Sequence, residues 1–158
     1  MVLIETFSLI DTLLFITIGS KDGFEAKDFH NKCDNKNFTM VFVETSDGKR
    51  FGGFTEETWD QSKKWKKGPK SFIFSLDNNE IYYIKKGYNS IYCYESGNPN
   101  FLGFGGGHDF KLCDKCNTNC NSYDNSGNSY ETNGKKFALA GESSFYVKDY
   151  EVYLLELE

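Results

Sequence analysis

At 158 residues the chain fits one domain with a real core, since a chain of this size buries roughly two-thirds of the surface its unfolded form exposes. Aromatic residues make up 17% of it, with 15 Phe and 10 Tyr against 2 Pro, which excludes a disordered chain and favours β structure. A formal net charge of -5 excludes a general nucleic-acid binder, which needs a basic surface to displace counterions from phosphates.

Residues 2–18 are apolar, but Glu5 and Asp11 interrupt them and no Lys or Arg precedes them, so the stretch reads as neither a signal peptide nor a membrane span. Residues 12–18 are β-branched and short, as in a buried strand, and the turn dipeptide Asp22-Gly23 follows. Across 24–33 the apolar residues Phe24, Ala26, Phe29 and Cys33 recur near helical spacing, with Asp22 as the expected N-cap. Residues 38–45 and 50–54 form a hairpin around Ser46-Asp47-Gly48-Lys49. The lysine run that follows, with Lys63, Lys64, Lys66 and Lys67 around Trp65, reads as a solvated loop open to peripheral association with a headgroup boundary or an acidic partner.

A second hairpin spans 71–76 and 81–85 around Asp77-Asn78-Asn79, and 90–94 is a further strand. Phe110 and Leu112 belong to another strand, whereas 114–128, rich in Asn, Asp, Ser, Cys and Gly, reads as a long surface loop. In the C-terminal strand, 145–154, the large apolar residues change phase after Val147, which predicts a β-bulge at Lys148 or Asp149. The pattern is mostly β (α+β), a two-sheet antiparallel sandwich flanked by a few short helices. One domain is expected over 1–158, its core at about 12–157, with no internal repeat.

The most informative segment is Phe104-Gly105-Gly106-Gly107-His108-Asp109-Phe110. Consecutive glycines carry the largest entropic cost of folding, so three in a row imply positive φ or another group lying against bare backbone. On that ground Gly106 is expected to resist replacement by Val. His108 and Asp109, with Ser122, Ser126, Ser129 and Glu131 downstream, contain the residue types of a hydrolase, but no nucleophile elbow accompanies them. A catalytic alternative would use His108, Asp109, Ser126 and Glu131. The more economical expectation is a binding surface made of Gly105, Gly106, Gly107, His108, Asp109, Ser122, Tyr123, Gly127, Tyr130 and Glu131.

Cys113, Cys116 and Cys120, with His108 upstream, offer soft ligands for zinc as a minority alternative, although a second Cys-x-x-Cys knuckle is missing. No cofactor is otherwise expected. Five cysteines without a secretion signal imply free thiols in an intracellular, reducing compartment, and thiol-based antioxidant chemistry is the corresponding enzyme alternative.

In order along the chain, Asp22-Gly23-Phe24, Phe29-His30-Asn31-Lys32-Cys33-Asp34, Phe51-Gly52-Gly53-Phe54-Thr55 with Trp59, Ser71-Phe72-Ile73-Phe74-Ser75-Leu76, residues 104–110, Gly127-Asn128-Ser129-Tyr130-Glu131 and Lys148-Asp149-Tyr150-Glu151-Val152 resemble the TLDc domain of oxidation-resistance and vacuolar-ATPase-associated proteins. The resemblance covers nearly the whole chain. It implies a β-sandwich with short helices, a non-enzymatic interaction module, binding to subunits of the vacuolar proton-pumping ATPase, and a contribution to oxidative-stress resistance. It also implies a cytoplasmic protein, brought to vacuolar or endosomal membranes by its partner. The module is expected to stand almost alone here, and the three loop cysteines depart from the Asn/Ser-rich loop of relatives.

Overall fold

The structure is a computed structural model and describes residues 12–156; residues 2–11 of the apolar N-terminal stretch lie outside that range. In chain order the elements are β1 (Thr12–Ile18), α1 (Gly19–Asp22), α2 (Ala26–Cys33), β2 (Thr39–Thr45), β3 (Arg50–Thr55), β4 (Trp65–Lys66), β5 (Phe72–Ser75), β6 (Glu80–Tyr83), β7 (Ile91–Tyr92), β8 (Asn100–Phe104), β9 (Phe110–Cys113), β10 (Ser122–Asp124), β11 (Ser144–Phe145) and β12 (Val147–Glu156). Two six-stranded antiparallel sheets result, ordered β1-β12-β2-β3-β5-β6 and β11-β10-β9-β8-β7-β4. Among the described residues no helix is long and apolar enough to cross a membrane.

Alternation decides what each strand buries. Val41, Val43, Phe51 and Ile73 of the first sheet meet Leu102, Phe104, Phe110 and Leu112 of the second in one core. Phe51 lies edge-on to Phe110 at 5.3 Å and to Phe145 at 5.5 Å, and Phe104 stacks on Phe110 at 4.9 Å. Trp59 is fully enclosed and its indole N–H donates to Thr39 Oγ1 at 2.8 Å, so the ring's one polar atom is satisfied inside the core. The Phe104 ring crosses the bare backbone of Gly53, where a Cβ would come within 2.6 Å of it.

Both hairpins and the C-terminal bulge stand where the sequence places them; pairing of β12 with β2 breaks between Val147 and Asp149, leaving Lys148 as the extra residue. Other expectations need correction. Asp22 does not cap α2. Its carboxylate accepts from the Thr17 hydroxyl at 2.9 Å and the Ile18 amide at 3.0 Å, while Glu25 caps α2 in a capping box with Asp28.

Residues 114–128 are not wholly a surface loop either, because β10 lies within them, paired to β9, and Cys116 is fully buried. The lysine run contributes β4, and Lys66 is tied down, its Nζ 2.6 Å from Asp60 and bonded to the Thr58 carbonyl.

Candidate functional site

The glycine run is the turn joining β8 to β9. Gly105 N–H donates to the Ser90 carbonyl at 2.7 Å and His108 N–H to the Gly105 carbonyl at 3.1 Å, which closes the turn. Gly105 sits at φ +94 and His108 at φ +57, so the position that demands glycine is Gly105, where a Cβ would also overlap the Asp109 carboxylate. Gly106 lies outside the left-handed region, so positive φ gives no reason for its intolerance of a side chain, but a Cβ there would stand 3.3 Å from Ser129 Oγ, a tight contact to which the hydroxyl would have to yield. Its amide donates to Ser129 Oγ at 2.7 Å, and Gly107 is covered by the Asn128 side chain.

Asp109 is fully buried. Its carboxylate accepts from the amides of Gly127 at 3.1 Å, Ser129 at 2.8 Å and Tyr130 at 3.1 Å. Burial pushes this carboxyl above its usual value, with the amide donors opposing that shift. Further bonds fasten the same loop: Tyr130 Oη donates to the Ser90 carbonyl at 2.8 Å, and Lys85 Nζ donates to the carbonyls of Gly127 at 2.8 Å and Asn128 at 3.1 Å. Three chain segments thereby form one rigid corner. It borders a groove of about 690 Å³ along Lys85, Gly127, Asn128, Glu131 and Lys135, and a smaller hollow of about 360 Å³ beside Gly106, Asn89 and Asn128.

Sequence reasoning missed a second clamp of the same kind. Asp124, also buried, accepts from the amides of Ser126 at 2.9 Å, Leu139 at 3.0 Å and Ala140 at 2.8 Å. The available signal was the turn composition of Asp124-Asn125-Ser126-Gly127, in which an Asp bonds backbone two residues on.

His108 turns to a different environment. Its ring stacks with Tyr94 at 5.7 Å, tilts against Trp65 at 5.0 Å, and meets Tyr92 at 6.0 Å and Tyr123 at 6.4 Å. Removal from water, with Lys111 nearby, brings its pKa down to about 4, so it is a neutral imidazole at physiological pH. Tyr94 Oη is near both ring nitrogens, at 3.3 and 3.2 Å, and among the described residues no carboxylate orients the ring.

The catalytic alternative is therefore not assembled: His108 and Asp109 face apart, and Ser126 Oγ accepts the Ala138 amide at 2.8 Å. Glu131 accepts the Asn133 amide at 2.8 Å from an exposed position. Ser122, buried beneath β9, accepts the Cys113 amide at 3.1 Å, and Tyr123 lies under Lys111, whose Nζ is 4.5 Å from the ring centre. Of the proposed binding residues, the corner gathers Gly105, Gly106, Gly107, Asp109, Gly127 and Tyr130, whereas Tyr123 and His108 share the aromatic face.

The thiols are unpaired, and only Cys120 is exposed. Burial pushes Cys33 up to about 12 and Cys93 up to about 11, and Cys116 upward as well, which suppresses thiolate nucleophilicity. Among the described residues no group of three or more His, Cys, Asp or Glu side chains is placed to hold a metal ion; Cys113, Cys116, Cys120 and His108 are not brought together.

Residues 11–156 match the family model of the TLDc domain. The chain is also similar to the MTOR-associated protein MEAK7 of Gallus gallus, 34% identical over 80 residues, covering 48% of this chain and 17% of the relative. The Xenopus laevis MEAK7 is 33% identical over 75 residues, covering 45% of this chain and 16% of the relative. The chain thus spans under a fifth of the length of these relatives.

Proposed function

The chain belongs to the TLDc domain family, and from that premise we propose that it is a non-enzymatic protein-interaction module that binds the vacuolar proton-pumping ATPase and modulates its assembly or rate. The observation that carries this reading is the use made of the polar side chains at the candidate site. Asp109 is spent on backbone amides and Ser126 on the Ala138 amide, so the corner presents a fixed shape rather than a reactive group. Rigid backbone bordered by grooves suits recognition, because little order remains to be imposed on binding.

The relatives' name, MTOR-associated, supports protein partners as the general class. A contribution to oxidative-stress resistance would then follow from the partner, since three of the thiols are held protonated by burial. The free thiols suit a reducing, cytoplasmic setting.

The test is capture of the pump by the purified chain, with ATP hydrolysis and proton transport followed as the chain is titrated in. Saturable capture with a change in rate supports the reading. Absence of capture at micromolar chain, with an intact pump verified by its own activity, overturns it.

A further inference from the structure

We infer that the outward face of the second sheet is a docking surface for an extended, acidic, proline-bearing segment of a partner protein. The inference rests on the reading of the chain as an interaction module and adds to it a second face and the chemistry of what that face takes.

Trp65 is 42% exposed, in contrast to the enclosed Trp59. It is held 4.6 Å from Tyr92 and 5.0 Å from His108, and Tyr123 closes the row on the other side of His108. The row crosses β4, β7 and β10 over Gly103 of β8. A Cβ at Gly103 would come 3.0 Å from His108 Nδ1 and 3.2 Å from Tyr94, so the glycine lets both rings lie close to the sheet. Rings held in place by one another lose little freedom when a ligand covers them.

Charge and backbone geometry select the occupant. Lys63 faces Glu95 at 3.7 Å and Lys66 is bound to Asp60, but among the described residues Lys64, Lys67 and Lys111 form no ion pair. Lys111 lies in the row itself, over the Tyr123 ring, and Lys67 is exposed two residues after Trp65; these cations on a chain whose net charge is -5 favour a partner segment carrying carboxylates. The main-chain groups of a sheet bond within its plane; the row reaches a sheet edge only at β4, which is two residues long and too short to pair a partner strand, and the face itself offers only side chains. A polyproline-type segment makes no internal main-chain bonds and stacks its rings on Trp and Tyr. A lipid surface fits less well. Trp65 is held back against Tyr92 rather than projecting.

The experiment titrates the full chain with a synthetic peptide of alternating Pro and Glu, following the indole resonances of Trp65 and of Trp59 as internal reference. A saturable shift of Trp65, centred on β4, β7 and β10, is expected, weakening with salt. Trp65→Ala and Lys111→Glu should each reduce affinity by roughly tenfold or more without lowering the melting temperature. An alternating Pro and Lys peptide should leave Trp65 unmoved. The proposal is overturned by no shift at millimolar peptide, or by an equal response to a Ser and Glu peptide. It is also overturned by Trp65-dependent binding to phosphatidylserine vesicles by a chain that ignores the Pro and Glu peptide. A chain that takes the peptide but never captures the pump overturns the proposed function alone. Capture undiminished by Trp65→Ala, with no peptide response, overturns the docking surface alone.

Discussion

His108 and Asp109 are adjacent in the chain and serve opposite ends. The Asp109 carboxylate is enclosed and fastened to three amides of the loop after β10; the His108 imidazole is half-buried among rings and, among the described residues, bonded to no carboxylate. A left-handed residue at the end of the glycine turn lets the chain send one side chain into the corner and the next-door one onto the sheet face. The inner region therefore supplies rigidity and the outer region supplies accessible chemistry, and a variant in one should leave the other intact.

The largest effect should come from the inner clamp. Asp109→Ala strands the amides of Gly127, Ser129 and Tyr130, which costs at least about 3 kcal/mol and lowers the melting temperature by about 6–12 °C. A melt within a degree of wild type would show that the corner holds without it. Next in size is Gly105→Ala, which imposes a Cβ at φ +94 and should cost about 1–3 kcal/mol. Gly106→Ala, one residue on and outside that region, should cost under about 1 kcal/mol. Comparable denaturation midpoints for the two would erase the distinction drawn between neighbouring glycines.

Acid titration sharpens the contrast further. The folded His108 has its pKa lowered to about 4 from an ordinary 6.5, so between those values the unfolded chain takes up a proton that the folded chain refuses. That contribution to stability is full above pH 6.5 and is lost as pH falls toward 4. His108→Asn, which tolerates the left-handed backbone, should show a shallower decline in melting temperature over this window than wild type, while the two have closely similar profiles above it. Identical slopes would mean that His108 is not desolvated. The smallest effect concerns the thiols: a thiol reagent should modify Cys120 promptly and the four buried cysteines only on unfolding, and Cys120→Ser should leave the melt unchanged. Fast labelling of Cys116 would contradict its burial.

Much of the fold was legible because it rests on local signals. The alternation of residues 38–45, the turn at Asp47-Gly48 and the phase change after Val147 each fix a feature within a few residues, and β2, β3 and the bulge at Lys148 follow. The capping of α2 was misread because two acids compete within six residues. Only tertiary placement sends Asp22 back to β1 and leaves Glu25 to the helix. β10 was hidden in a polar loop because its stability comes from pairing with β9 and from Ser122 beneath it, not from propensity. At the site, the glycine run announced a close backbone approach, but which glycine needs positive φ depends on the path of the turn. The aromatic row was illegible, since Trp65, Tyr92, Tyr94 and Tyr123 are brought together by sheet order.

The most direct test of the central claim is amide hydrogen exchange on the chain alone and bound to the pump. The account predicts slowed exchange concentrated at residues 105–107 and 127–129, with Asp109→Ala abolishing both that protection and the binding. Tight binding that leaves those residues exchanging as in the free chain would contradict it.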